Sequence, residues 1–399
     1  MITADEALDL VVRTAACLPP RSYPIEKACG LTLAEDVTAE GDYPSFPRAM
    51  MDGFAVRLAD AGKDVPVAGE VPAGTSWDGE LVEGRCLAIL TGAPCPAGTE
   101  AVVAKEHVRR HGQAVVLPLE IAAGQNIAAA GSECRRGDRV LAAGMRLTPL
   151  AVGALAAFGR DRVRVFPQPR LAVITTGGEL AGAGQPLEPG QIRDVNGPML
   201  AAMARELGID SPRHAHAIDR PDEIRRALEQ SADVDIVVLT GGVSVGSYDY
   251  VPQALAGIGA ETVFHGVKQK PGKPLLFART ERSLFFGLPG NPLACHLGFH
   301  RYVSAAVRKM GGQGGPRRPF QGELAGTVES KGGRTHFVPG RAEPAGDSCW
   351  PWRLAPLSGA SSADVFRTAG ANCYLEVPPL GRTLRAGEAC AFTWLSDQP

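Results

Sequence analysis

Aromatic residues make up only 6% of the 399-residue chain, so its cores have to be built from Ala, Val, Leu and Ile. No run reaches the roughly 18 consecutive apolar residues that a membrane-crossing helix needs. A basic excess is also missing. The chain has 41 Lys+Arg against 43 Asp+Glu, a net charge of −2, which argues against a nucleic-acid-binding protein. The first residues are acidic, with no basic residue before Arg13, which is the wrong charge for a secretory or transit segment. The expected location is the cytoplasm. Among the nine cysteines there is no C-x-x-C pair. Zinc sites and disulfide frameworks both favour clustered spacing, so the cysteines are expected to be reduced and mostly buried as small apolar residues.

What the chain does have is turn chemistry. Its 48 Gly and 32 Pro are dispersed rather than repetitive, the mark of many short elements and special backbone positions. The length predicts two to four domains. An amphipathic helix is expected over Thr3–Leu18, with Thr3 as N-cap and Glu6 completing a capping box. A short helix follows around Ile25–Cys29. From Asp42 to about Gly124, short apolar runs alternate with Gly, Pro, Asp and Glu clusters, the pattern of a small β domain. A helix over Pro149–Phe158 has Thr148 as N-cap and Pro149 at its first position.

After a Pro167–Pro169 linker the pattern changes to α/β. Wholly apolar strands are predicted at Leu171–Thr175, Ile236–Leu239 and Ser283–Gly287. Helices are predicted at Pro198–Leu207, Pro221–Ser231 and Pro292–Met310. Such alternation implies a parallel sheet covered on both faces. Beyond a Gly311–Pro319 boundary, the runs Gly322–Val328, His336–Val338, Cys373–Val377 and Ala389–Trp394 predict a small β-barrel or sandwich.

The candidate chemistry gathers at strand ends, where ligands of open α/β sheets bind. Two Thr-Gly-Gly turns (Gly177, Gly178; Gly241, Gly242) each follow a strand. Gly290-Asn291-Pro292 opens a helix, with Asn291 as N-cap, a place that favours an anion. The segment Lys268–Pro274 holds three lysines stiffened by Pro271 and Pro274, which suits a polyanionic phosphate ligand. Glu179, Asp219 and Asp249 sit at strand or helix ends, where acids beside a phosphate site hold Mg²⁺. Asp219 and Asp249 also read as helix-start residues. Asp52 and Thr91 lie in turns that physics alone would not select. His296 and His300 read as one packed and one exposed histidine rather than a metal site. No P-loop and no G-x-S-x-G elbow is present.

Several segments together resemble the molybdopterin molybdenumtransferases, the family that includes the C-terminal domain of gephyrin. They are Ala-Met-Met-Asp-Gly-Phe-Ala (49–55), Leu-Thr-Gly-Ala-Pro (90–94), Gly-Thr-Glu-Ala-Val-Val (98–103), Thr-Gly-Gly-Glu-Leu (176–180) and Ile-Arg-Asp-Val-Asn-Gly (192–197). Thr-Gly-Gly-Val-Ser-Val-Gly-Ser-Tyr-Asp-Tyr (240–250), Lys-Pro-Gly-Lys-Pro (270–274) and Gly-Leu-Pro-Gly-Asn-Pro (287–292) complete the set. The resemblance implies an N-terminal elongated domain (1–42 plus 125–167), an inserted β domain (43–124), an α/β molybdopterin-binding domain (168–312) and a C-terminal β-barrel (313–399). It implies a homodimer that inserts molybdate into adenylylated molybdopterin and releases AMP with Mg²⁺ assisting. It also leaves room for contact with the molybdopterin adenylylating protein. By motif, the catalytic positions are Asp52, Thr91, Glu179, Asp219, Asp249, Lys270 and Ser362. Gly177, Gly241, Gly242, Ser244, Pro271, Gly272, Lys273, Gly290 and Asn291 bind substrate or phosphate, and Asp249 and Glu179 take the metal. Asp52 is expected to serve the partner subunit's site.

The chain departs from the family pattern at Pro47, Ala49, Gly178, Gly266 (with Lys268 nearby), Ala294 and Pro339 (with Arg341 nearby). A nucleotide pyrophosphatase-type hydrolase and a non-catalytic pterin-binding scaffold are the competing functions.

Overall fold

The computed structural model describes every residue except 244–249, 331, 347, 358–360 and 397–399. The chain divides into two compact units, Met1–Tyr23 with Ala28–Ala34 and Arg164–Pro399, and Pro24–Lys27 with Glu35–Val163.

The first unit is organised around a six-stranded sheet in the order Arg213–Ala217, Leu171–Thr176, Ile236–Thr240, Leu284–Leu288, Leu276–Arg279, Glu261–His265. The first four strands are parallel, and Leu276–Arg279 runs against both of its neighbours. The three central parallel strands are buried along their whole length, as their unbroken apolar runs require. Side chains alternate between faces. Leu171, Val173, Ile236 and Val238 pack on one face with the N-terminal helix and the chain after Pro292. Ala172, Ile174, Val237 and Leu239 pack on the other with helices Pro221–Gln230 and Val251–Gly257.

The same unit contains a closed five-stranded barrel. Thr335–Pro344 pairs with Trp352–Pro356, then follow Phe320–Leu324, Ala389–Trp394 and Cys373–Val377, which returns to Thr335–Pro344. Leu324, Leu354, Leu375 and Phe392 fill it. One further strand, Val267–Lys270, runs parallel to Thr335–Pro344 on one side and to Ile2–Thr3 on the other. The basic loop is thereby hydrogen-bonded into the barrel sheet.

The second unit carries a six-stranded sheet, Arg109–His111, Ala114–Val116, Asp64–Val71, Cys86–Ile89, Gly53–Val56, Ala101–Ala104. Apolar clusters cover both of its faces, Ala55, Leu87 and Val102 on one and Phe54, Val56 and Val103 on the other. Its helix Pro149–Ala157 is capped by the Thr148 hydroxyl, which accepts the Ala151 N–H at 3.2 Å.

Several sequence expectations are corrected. The capping box at Thr3 and Glu6 forms, but the helix is Ala4–Thr14. Ala15 is extended and Leu18 N–H donates to the Met310 carbonyl, because the approach to Pro19-Pro20 favours extended backbone. Ile25–Lys27 is only a 3₁₀ turn. The helical run after Pro292 is continuous but opens into a π-helical stretch at Phe299–Val303. Edge strand Arg213–Ala217 was not anticipated, because its Arg-His-Ala-His-Ala sequence lacks an apolar run. All nine cysteines are free, but only Cys86, Cys295, Cys373 and Cys390 are buried, while Cys17, Cys29 and Cys349 are exposed. His296 and His300 are both half-buried and stack at 6.3 Å, with His296 Nδ1 2.9 Å from the Tyr374 hydroxyl. Burial pushes their pKa values down to about 4 and about 3. The stability that comes from holding them neutral is therefore lost as pH falls below the ordinary histidine range.

Phe277 is fully buried, with its ring 5.5 Å from Phe264 and 4.8 Å from Phe286. Phe277→Ala is expected to cost about 3–5 kcal/mol by leaving a cavity that rigid strands cannot close. Denaturant unfolding followed by tryptophan fluorescence in a Trp77→Phe background checks this, since the other tryptophans all lie in this unit. An unchanged midpoint would contradict the packing.

Candidate active site

Three loops meet at the carboxyl edge of the parallel strands. After Leu171–Thr176, Gly177 N–H donates to the Ala217 carbonyl at 3.1 Å. After Ile236–Thr240, Gly241 N–H donates to the Leu288 carbonyl at 3.1 Å. Gly241 has φ +89°, and a Cβ there would lie 2.7 Å from Thr176 Oγ1, so no other residue fits. A Cβ on Gly290 would come 3.7 Å from the Gly241 Cα, which shows how closely the second and third loops approach. Asn196, at the start of helix Asn196–Glu206, donates from Nδ2 to the Gly290 carbonyl at 2.8 Å. Its Oδ1 is buried without a partner among the described residues.

Asp194 anchors the same edge. It accepts from Gly197 N–H at 2.9 Å and from the Thr175 hydroxyl at 3.0 Å, with His214 Nε2 3.3 Å away. Burial pushes its pKa up, but these donors outweigh burial and hold it below the ordinary value. Glu179 stands exposed after the first glycine turn, and Asp219 is exposed after the edge strand. Asp219 does not cap the following helix, whose N-cap is Arg220. Asp249 and Ser244 lie outside the described residues.

The basic loop is held from beneath by Gln269, which is completely buried. Its Nε2 donates to the Pro271 and Gly272 carbonyls at 3.1 and 3.3 Å, and its Oε1 accepts from the Tyr302 hydroxyl. Lys270 and Lys273 are left exposed. With Pro271, Gly272, Asn291, Ser361 and Ser362 they line a cavity of about 630 Å³, closed on the barrel side by Glu329, Arg334 and His336. Asn291 is the N-cap residue, but its side chain makes no capping bond. It donates instead to Ser362 Oγ at 2.8 Å, while Leu293 N–H donates to the Ser362 carbonyl at 2.9 Å. This departs from the capping role expected of Asn291. A hydroxyl on the barrel's connecting segment takes the amide.

In the second unit, Asp52 and Thr91 come together although 39 positions separate them. Asp52 Oδ1 accepts from Thr91 N–H at 3.0 Å and from the Thr91 hydroxyl at 2.8 Å, and Oδ2 faces Lys105 Nζ at 3.2 Å. The two Thr91 donors, then Lys105, pull the Asp52 pKa down to about 2. Gly53 allows this turn because a Cβ there would meet the Val103 carbonyl oxygen at 2.0 Å.

The structure thus places Lys270, Pro271, Gly272, Lys273, Asn291 and Ser362 on one cavity. It places Gly177, Glu179, Asp219, Gly241, Gly242 and Gly290 along one sheet edge, and it pairs Asp52 with Thr91. Arg334, His336, Asn196 and Lys105 escaped the sequence reading. Only Asn196 had a signal, as the asparagine of the 192–197 motif. Among the described residues no cluster of three or more His, Cys, Asp or Glu side chains could hold a metal.

Glycine turns at the ends of parallel strands, in a unit that also carries a cation-lined cavity, define an α/β protein built to bind a phosphorylated or oxoanionic ligand. Comparison with known proteins agrees. Residues 2–159 match the MoeA N-terminal region (domain I and II), 172–309 a probable molybdopterin binding domain, and 321–395 the MoeA C-terminal region (domain IV). A molybdopterin molybdenumtransferase of Staphylococcus aureus is 32% identical over 97% of this chain and 94% of its own length. One from Staphylococcus epidermidis is 34% identical over 78% and 76%. The crystal structure of a molybdopterin biosynthesis MoeA protein from Pyrococcus horikoshii superimposes with a TM-score of 0.78 at 28% identity, covering 99% of this chain and 100% of that one. The chain therefore belongs to the molybdopterin molybdenumtransferase family and is a transferase of molybdenum cofactor biosynthesis.

The Asp52 carboxylate is expected to titrate near pH 2, well below the ordinary value of about 3.9. Stability from this lowered pKa is present above the unfolded value and is lost as pH falls through about 2. Thr91→Ala removes the hydroxyl donor and should move the midpoint upward. Carboxyl carbon NMR measures it directly, and an unshifted Asp52 titration in that variant would contradict the geometry.

Proposed function

We propose that the protein inserts molybdate into adenylylated molybdopterin and releases AMP, giving the molybdenum cofactor. The observation that carries this reading is the cavity of about 630 Å³ where Lys270, Lys273, Asn291 and Ser362 converge. Molybdate is a tetrahedral dianion, and the pterin substrate carries a pyrophosphate-type linkage. Both call for cations and directed donors at short range. Lys270 and Lys273 supply the charge. Ser362, held by Asn291, orients a hydroxyl towards the anion. The glycine turns, whose Gly177 and Gly241 amides are bonded to backbone carbonyls, hold the strand ends rigid, so that the donors facing the anion are preorganised as AMP departs.

Mg²⁺ fits the donor chemistry of this edge, since an exposed carboxylate, Glu179, stands there and Mg²⁺ prefers such hard oxygens. Glu179 and Asp249 are the residues that would hold it, and when bound it would neutralise charge on the phosphate linkage. Asp219, on the neighbouring loop, adds negative field. Asp52, ionised down to about pH 2, acts as a fixed anion and hydrogen-bond acceptor rather than as a proton carrier near neutrality.

We also propose that the chain has the four-domain division set out from the sequence, works in the cytoplasm as a homodimer, and receives its pterin from the adenylylating protein. No described helix is long and apolar enough to cross a membrane.

Incubation with adenylylated molybdopterin, molybdate and Mg²⁺ tests the function. Cleavage of other nucleotides but not this one would mean a hydrolase, and binding without turnover would mean a scaffold. Asp249→Asn keeps the side chain's size but removes its charge. It is expected to lower AMP release by about 10²-fold, the scale of a lost transition-state electrostatic contact. Unchanged Mg²⁺ dependence in that variant refutes the metal assignment. If Asp52 serves the partner subunit, co-refolding Asp52→Ala with Asp249→Ala makes about half the dimers mixed, each with one intact site. Activity should then return to about one quarter of the parent's. No recovery, with mixed dimers seen by native mass spectrometry, rules out action across the dimer.

A further inference from the structure

We propose that His214 and His216 are positioning residues, two ring donors on the edge strand that clamp both ends of the segment carrying Glu179 and so fix where its carboxylate stands. This deepens the reading of Glu179 as a Mg²⁺ ligand, on which it rests, by naming what holds that ligand in place.

Edge strand Arg213–Ala217 lies parallel to Leu171–Thr176, with His214 opposite Val173 and His216 opposite Thr175. Alternate residues of a strand share a side. Ala215 and Ala217 turn into the core on one face. Both histidines therefore lie on the other, where Val173 packs with Leu200 and Ala204 of helix Asn196–Glu206. Residues 177–194 leave the sheet after Leu171–Thr176 and return at the start of that helix. Within them Leu180–Ala181 pairs with Ile192–Arg193. Ile192 N–H donates to the Glu179 carbonyl, and Asp194 N–H to the Ala181 carbonyl, each at 2.9 Å. Two short strands are marginal on their own, so the segment stays in place only as firmly as its ends are tied.

His216 ties the entry. Its Nε2 lies 2.7 Å from the Gly177 carbonyl oxygen, which also accepts Leu180 N–H at 3.2 Å. A carbonyl only accepts, so this ring nitrogen carries its hydrogen. His214 ties the exit. Its Nε2 lies 3.3 Å from Asp194 Oδ2 and 3.3 Å from Thr175 Oγ1. A carboxylate likewise only accepts, so His214 too donates from Nε2. A Cβ on Gly197 would come 2.3 Å from that nitrogen, so the helix start leaves room for the ring. Glu179 folds back over the clamped turn. A Cβ on Gly177 would meet either of its carboxylate oxygens at 2.7 Å. The carboxylate thus rests against the residue whose carbonyl His216 holds, and a tilt of that peptide moves it. Mg²⁺ demands near-octahedral geometry, so a displaced ligand binds it more weakly.

Hydrogen exchange of the full-length protein, with nothing bound, reads the clamp directly. His216→Ala is expected to speed exchange across 177–194 by about two- to tenfold, the scale of one lost hydrogen bond. His216→Gln carries an amide donor at the same reach as Nε2 and should restore most of the protection. In turnover, the Mg²⁺ concentration for half-maximal AMP release should rise by about the same factor in His216→Ala, with KM for the adenylylated pterin within about twofold of the parent. A merely structural histidine would lower the melting temperature and leave the Mg²⁺ requirement alone. In a Glu179→Gln background His216→Ala should add nothing to that requirement, because the clamp acts through this carboxylate. Parent-like exchange in His214→Ala/His216→Ala overturns the proposal. So does faster exchange with the Mg²⁺ requirement unmoved, where Glu179→Gln does move it. If Glu179→Gln leaves the Mg²⁺ requirement unchanged, or the parent releases no AMP, the reading of Glu179 fails and exchange alone decides the clamp.

Discussion

The buried amide of Gln269 is the contact on which the cavity depends. It is wholly removed from water, so each of its polar atoms needs a partner within the protein. It finds them in the Pro271 and Gly272 carbonyls and the Tyr302 hydroxyl. One side chain thus ties the basic loop to the long helical run on the sheet. Its backbone belongs to Val267–Lys270, the strand between Ile2–Thr3 and the barrel. Side-chain and backbone bonds together fix where Lys270 and Lys273 stand, so their charges are set before any ligand arrives.

Preorganisation of this kind recurs at smaller scale. The glycine loops are held by Gly177 to Ala217 and Gly241 to Leu288 backbone bonds, and by Asn196 to Gly290. Asp194 braces their base against the desolvation that its burial costs. In the other unit Asp52 is fixed by two donors from one residue and a lysine, which keeps it an anion at any physiological pH. In each place a charged or polar group is fixed by partners already bonded to it within the protein.

The elements legible in the sequence were those with local causes. The capping box at Thr3 and Glu6, the Thr148–Pro149 helix start and the glycine turns after apolar strands all depend on residues within a few positions. The strand Arg213–Ala217 was not legible, because it sits at a sheet edge where polar side chains are tolerated. Helix Ala4–Thr14 ends where the approach to Pro19-Pro20 favours extended backbone, and Leu18 then bonds to Met310, a partner far along the chain. The sequence reads His296 and His300 as one packed and one exposed histidine, whereas Tyr374 of the barrel packs against both rings.

The candidate site divides along the same line. The sequence by itself determined which chemistry was present: glycine turns at strand ends, a proline-stiffened basic segment, and the motifs that mark the family. These are properties of residue type and short spacing. Only the tertiary structure decided that Asn291 reaches Ser362 rather than capping its own helix, that Thr91 and Lys105 both hold Asp52, and that Arg334 and His336 line one cavity with the lysines. Those are meetings between residues far apart in the chain. They follow from strand register and barrel closure, which are set by the packing of whole elements and leave no local pattern to read.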